Sequence, residues 1–296
     1  MPLLQERVTV NIEKILLATD FCEVSEKATA YARALAQRFS STVAIAHVFN
    51  PSNVILCEGA ILGMPPEEWR QNCTDYLECS KTQFADAGLK VHTKSLQGQQ
   101  AATELLKLVT EDPVDLIVIG TQSKQGLKRM LLGSTAEEII RNAECPVLTV
   151  GPNSAAAPSG PLVFRSIVFA TDFSREAAKA AAFALSLAQD SGAHLYLCHV
   201  VQSYPGWQRE APVIDAMFTA SLAKMIPDSS YDWCSPECAL EHGEAAAGIL
   251  GLAERVHADL IVLGARHETF LLKHHVDHGV TPDLLAEATC PVLTVC

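Results

Sequence analysis

The sequence predicts an α/β protein made of two tandem domains, and three observations carry that expectation. The first is a long internal repeat. Ile15-Leu-Leu-Ala-Thr-Asp-Phe21 returns as Ile167-Val-Phe-Ala-Thr-Asp-Phe173, and Ala46-His-Val-Phe49 returns at the same offset as Cys198-His-Val-Val201. Val114-Asp-Leu-Ile-Val-Ile-Gly120 returns as Ala258-Asp-Leu-Ile-Val-Leu-Gly264, and Cys145-Pro-Val-Leu-Thr-Val150 as Cys290-Pro-Val-Leu-Thr-Val295. The second is the alternation of short apolar runs with stretches of helical period. The third is that the apolar runs are continuous, as in parallel strands covered on both faces. One domain then spans residues 1–152 and the other 162–296. Residues 153–161, within the Pro-, Gly-, Ser- and Ala-rich stretch Gly151 to Pro161, read as a plain linker.

In the first copy, Lys14–Ala18 reads as a strand. Ser25 to Phe39 is helical, with Ala28, Tyr31, Ala32, Leu35 and Phe39 on one face. Thr42–Val48 is the second strand and Lys90–Leu96 the third. Between them, Pro51 to Pro66 reads as a long apolar loop, a lid or a partner surface, before a helix from about Glu67. Ala101–Thr110 is a helix, Leu116–Ile119 a strand, Thr135–Asn142 a helix and Val147–Val150 the last strand.

Composition narrows the function. Net charge is −12, with 34 Asp and Glu against 22 Lys and Arg, which argues against a general nucleic-acid binder. No segment gives the uninterrupted apolar stretch of a membrane span and the first residues lack an apolar signal core, so no membrane partner and a cytoplasmic location are expected. The ten cysteines are scattered, several in apolar runs (Cys145, Cys198, Cys290), and read as reduced, buried thiols.

The chemistry concentrates in Gly120 to Thr135. Gly120 ends a strand, Ser134 with Glu137 forms a capping box that makes Ser134 the expected helix N-cap, and Gly133 before it leaves room for a ligand. A helix start offers unpaired N–H groups and the positive end of the dipole, both suited to phosphate. Gly126, Lys124, Lys128 and Arg129 either complete a cationic cradle or form a solvated charged face. Asp20, directly after the first strand, is placed to accept ribose hydroxyls or to cap the first helix.

The pattern Gly120-x2-Ser123-x9-Gly133-Ser134 resembles the ATP loop of the universal stress protein family, Gly-x2-Gly-x9-Gly-Ser/Thr, and Ala18-Thr-Asp-Phe21, His47-Val48 and Cys145-to-Val150 match other family features in order. The resemblance implies two Rossmann-like domains of the adenine nucleotide alpha hydrolase-like type. Each would be a five-stranded parallel sheet of order 3-2-1-4-5 flanked by helices, with ligand beyond the strand carboxyl ends. It also implies an adenine nucleotide, ATP with Mg²⁺, in the first domain. Ala18 and Thr19 would line the crevice, Asp20 would hold the ribose and Val48 would lie against the base. Gly120, Ser123, Gly133, Ser134 and Thr135 would surround the phosphates. His47 itself reads as structural. Ser123 stands where the family has its second glycine, and a serine takes a left-handed backbone at a cost of about 1–2 kcal/mol. Last-strand edges often pair domains in this family, which makes Val147–Val150 and Val292–Val295 candidates for intramolecular pairing or for a homodimer.

The second copy keeps Ala170-Thr-Asp172 and His199-Val200 but not the cradle, since Asp277-His278 stand where Gly133-Ser134 would align. No ATP is expected there. Thr281-Pro282 reads as a helix N-cap followed by proline, a later start than in the first copy. His267, His274, His275, Asp277 and His278, with Cys234 and Cys238 elsewhere, either ligate zinc or are plain exposed loop residues. No catalytic series of nucleophile, base and acid stands out. The expected role is a cytoplasmic stress-response regulator that binds ATP and is read by a protein partner. The alternatives are an interaction module of the same fold without nucleotide, and a weak ATPase or metal-dependent enzyme.

Overall fold

The computed structural model describes residues 9–50, 66–121, 133–202, 210–265 and 280–295. The first copy runs β1 (Lys14–Ala18), α1 (Glu23–Phe39), β2 (Thr42–Phe49), α2 (Pro66–Asp86), β3 (Val91–Gln97), α3 (Ala101–Glu111), β4 (Leu116–Gly120), α4 (Ser134–Asn142) and β5 (Val147–Val150). The second runs β6 (Ser166–Ala170), α5 (Arg175–Ser191), β7 (His194–Val201), α6 (Ala211–Ala223), β8 (Ser235–His242), α7 (Ala245–Arg255), β9 (Leu260–Gly264), α8 (Val280–Glu287) and β10 (Val292–Val295). Every element expected in the first copy forms, with ends shifted by a residue or two, as fraying termini lead one to expect.

The strands make one ten-stranded sheet, ordered β3-β2-β1-β4-β5-β10-β9-β6-β7-β8. Each half carries the order 3-2-1-4-5 in parallel register, with Ala18 beside Ala46 on one side and Ile119 on the other. β10 joins β5 antiparallel, Leu293 opposite Leu148. Each last strand covers the other's edge, which would otherwise be a template for aggregation. Strand alternation then sorts side chains into two cores that run through both halves. Ile15, Leu17, Val43 and Ile45 meet α1, and their counterparts on β6 meet α5; Leu16, Ala18, Ala46 and Ile117 meet α3 and α4 on the opposite face.

Residues 151–161 are more than a plain linker. Lys27 Nζ donates to the Pro152 carbonyl at 2.7 Å, Tyr31 Oη to Ala155 at 3.1 Å and Arg38 Nη1 to Leu162 at 2.7 Å, while Leu162 N donates to Ala34 O. Lys27, Tyr31, Ala34 and Arg38 share one stripe of α1, so the segment is strapped along that helix. Its other side is held by the second copy: Asn153 Nδ2 donates to Ala286 O and Ala155 N to Thr289 O. Composition signals freedom from regular structure, and it does not report backbone bonds to neighbours.

α8 also departs from expectation. Its described part runs from Val280, so Thr281 lies inside the helix rather than at its N-cap. Among the described residues no helix is long and apolar enough to cross a membrane. The eight described cysteines are free thiols, and burial pushes those of Cys198 and Cys290 up to about 12.

Candidate functional site

β1, β2 and β4 end side by side, and the turn after β1 is built from its own side chains. Thr19 N donates to Ala46 O, Thr19 Oγ1 accepts from Phe21 N at 3.1 Å, and Asp20 Oδ1 accepts from Cys22 N at 3.1 Å and Ser25 Oγ at 2.5 Å. Burial would raise the Asp20 pKa; the donors from Cys22 and Ser25 outweigh it and hold the carboxyl below its ordinary value. Cys22, not Asp20, is the N-cap of α1, its sulfur accepting from Ser25 N. Asp20 braces that cap from outside and keeps its carboxylate at the exposed end of the strand.

The second copy repeats the backbone bonds of this turn, but Ala177 stands where Ser25 does, so the hydroxyl bond to the aspartate has no counterpart. Phe173 N donates to Thr171 Oγ1 at 3.0 Å and Ser174 N to Asp172 Oδ1 at 2.9 Å, with Ser174 capping α5. Phe21 and Phe173 both sit at φ 61°, a left-handed backbone that costs a bulky residue about 1–3 kcal/mol. The fixed turn swings Phe21 against His47, centroids 4.6 Å apart, and against Tyr76 of α2 at 5.3 Å. His47 Nδ1 lies 2.9 Å from the Thr19 carbonyl, and burial lowers its pKa against the pull of that carbonyl and of Asp20. His47 is thus held between the backbone of the turn and the Phe21 ring. The aromatic group of Phe21 and Tyr76 was not foreseen: nothing in Thr-Asp-Phe signals a positive φ at phenylalanine, and only the repetition of the motif hints at a special backbone.

Ala18 and Val48 face the opposite side, toward α3 and α4, with Ala46 and Ile119. Gly120 closes β4 there. A β-carbon at Gly120 would lie 2.9 Å from the backbone of Val24 and Ser25, so the glycine is demanded by the approach of α1. Gly264 repeats the arrangement against Glu176 and Ala177.

The capping box does not form. Gly133, at φ −59° and ψ 133°, is the N-cap of α4, and Ser134 is the first helical residue. Glu137 reaches Arg141 at 2.6 Å instead of turning back. Among the described residues α4 therefore opens with no side-chain cap, its first amides presented by Gly133, Ser134 and Thr135 after the stretch that follows Gly120. Ala18, Thr19, Asp20, Val48 and Gly120 gather at the strand ends, while Gly133, Ser134 and Thr135 stand at the helix start. Ser123, Lys124, Gly126, Lys128 and Arg129 lie outside the described residues, as do the apolar loop Pro51 to Pro65 and His267, His274, His275, Asp277 and His278. Cys238 lies on β8, and the buried Cys234 donates its thiol to Ser230 O. Among the described residues no group of three His, Cys, Asp or Glu side chains is placed for a metal.

Comparison with known proteins bears on the family and the fold. The sequence model described as the universal stress protein family matches twice, over residues 11–151 and 164–295. A universal stress protein of Methanocaldococcus jannaschii is 35% identical over 146 residues, 47% of this chain and 81% of that protein. Another, from Bacillus subtilis, is 31% identical over 145 residues, 46% of this chain and 97% of that protein. The crystal structure of a universal stress protein from Archaeoglobus fulgidus superposes with a TM-score of 0.68 at 19% identity, covering 95% of this chain and 97% of that one, and so shares the whole tandem fold. With two matched copies that fill nearly all of its length, the chain belongs to the universal stress protein family.

Proposed function

We propose that the first copy binds ATP, with Mg²⁺, and that the second serves as its fixed partner domain without nucleotide. The observation that carries this reading is the open start of α4. Amides at a helix N-terminus with no side-chain cap suit a phosphate, and they follow Gly133 after the stretch that follows Gly120. Ala18 and Val48 make the strand ends apolar enough for a purine, and Asp20 holds an ionised carboxylate at the end of β1. Nucleotide occupancy would bias a surface that a protein partner reads, the work of a cytoplasmic stress-response regulator.

Denaturing the purified full-length protein and measuring released adenine nucleotide, then titrating the stripped protein with Mg-ATP, tests this. One ATP per chain, lost on Gly133→Phe with the fold intact, is the expected result; two sites, or none at millimolar ATP, contradicts it. One observation favours the interaction module without nucleotide: Asp20 accepts the turn amide of Cys22 as Asp172 accepts that of Ser174 in the copy that lacks the cradle. Absence of ATP affinity would decide for that reading.

A further inference from the structure

α6 departs from its counterpart in the first copy. α2 carries charged residues along its length, whereas α6 has no Lys or Arg and a single carboxylate, Asp215. The inward face of α6 is occupied. Phe218 packs on Phe173 and His199, Leu222 is buried, and Asp215 Oδ1 lies 2.9 Å from His242 Nε2. The outward face is apolar yet in solvent, with Val213 64% and Met217 66% exposed and Ala220 beside them. A surface helix normally turns polar residues that way.

The spacing identifies what covers it. Glu210, Val213, Met217, Ala220 and Lys224 follow at intervals of three and four, the seam of a helix pair. Glu210 and Lys224 both have right-handed helical backbone, so the seam continues to each of them. Met217 is its centre, with a carboxylate at one end and an ammonium at the other, both exposed. Laid antiparallel on an identical helix, this seam meets itself apolar to apolar and sets each Glu210 against the other copy's Lys224. A parallel pairing would bring like charges together. With a net charge of −12 the chain repels itself over most of its surface, and this neutral stripe with complementary ends is where that repulsion vanishes.

We infer that α6 is a homodimer face, two copies of the chain pairing antiparallel about a twofold axis beside Met217. The helix is about 20 Å long, so the pair covers less than the roughly 1,200 Å² at which standard interfaces begin, and the dimer is a reversible one.

Sedimentation equilibrium of the full chain at low salt, from roughly 10 to 500 μM, tests the inference. A monomer–dimer equilibrium is expected, abolished by Met217→Glu. Glu210→Lys and Lys224→Glu should each weaken it by about tenfold, and the two together should restore it. All three positions are exposed, so circular dichroism should show unchanged folding. A wild-type chain that stays monomeric throughout overturns the proposal, whether or not α6 captures some other protein. So does a dimer indifferent to Met217→Glu, or a charge swap that fails to recover association.

Discussion

Two glycines of the first copy have opposite reasons to be glycine, and substitution separates them. At Gly120 the constraint is steric. Gly120→Ala drives a methyl into the backbone of Val24 and Ser25, and a loss of about 1–3 kcal/mol in chemical denaturation is expected. At Gly133 the φ and ψ suit any L-residue, so Gly133→Asp should supply the missing cap. Thermal stability then holds or rises by a few tenths of a kcal/mol, while ATP affinity in calorimetry falls more than tenfold, because a carboxylate occupies the anion's place. His47 gives a pH signature. Its folded pKa lies below 6.5, so the unfolded chain binds the extra proton, and stability gained above 6.5 is lost as pH falls from there through the folded value. The melting temperature should drop on acidification through that window, and His47→Gln should flatten the drop. Of these residues, the sequence displayed both glycines and the histidine but not their reasons. The approach of α1 to Gly120 is made by chain nearly a hundred residues away, and a capping box read from Ser134 and Glu137 ignores the competing pull of Arg141, one helical turn further on.

Among elements, the strands and helices were legible because burial imposes their periods directly: β4 is apolar at every inward position, and α1 repeats its buried face from Ala28 to Leu35. The strap over residues 151–162 was not legible, since its bonds run from main-chain carbonyls to Lys27, Tyr31 and Arg38, and no local pattern encodes that. Arg38 is its firmest point. The guanidinium also donates to Ser191 Oγ on α5 at 2.9 Å and stands over the Phe39 and Phe164 rings. Arg38→Ala removes two bonds from the first copy to the second at once and leaves the Leu162 carbonyl without its guanidinium donor. A loss of about 2–3 kcal/mol is expected, read as a lower urea midpoint with an unchanged slope.

At the scale of the whole molecule, duplication has given one sheet and two shared cores rather than two beads on a string. The tandem order and the pairing of β5 with β10 were anticipated from family resemblance; the continuity of the core was not, because it depends on α1 and α5 lying on the same face after the antiparallel join. Calorimetry should therefore show one cooperative unfolding transition, with Thr294→Pro, opposite Val147 in that join, lowering it as a unit instead of splitting it in two. The strap adds a last consequence. Its exposed crest at Pro158 and Ser159 is the natural place for a protease to cut, yet the flank before it is bolted to both halves and the flank after it to α1. A chain severed there should elute as an undivided particle and come apart only in denaturant, its covalent thread having become redundant once folding is complete.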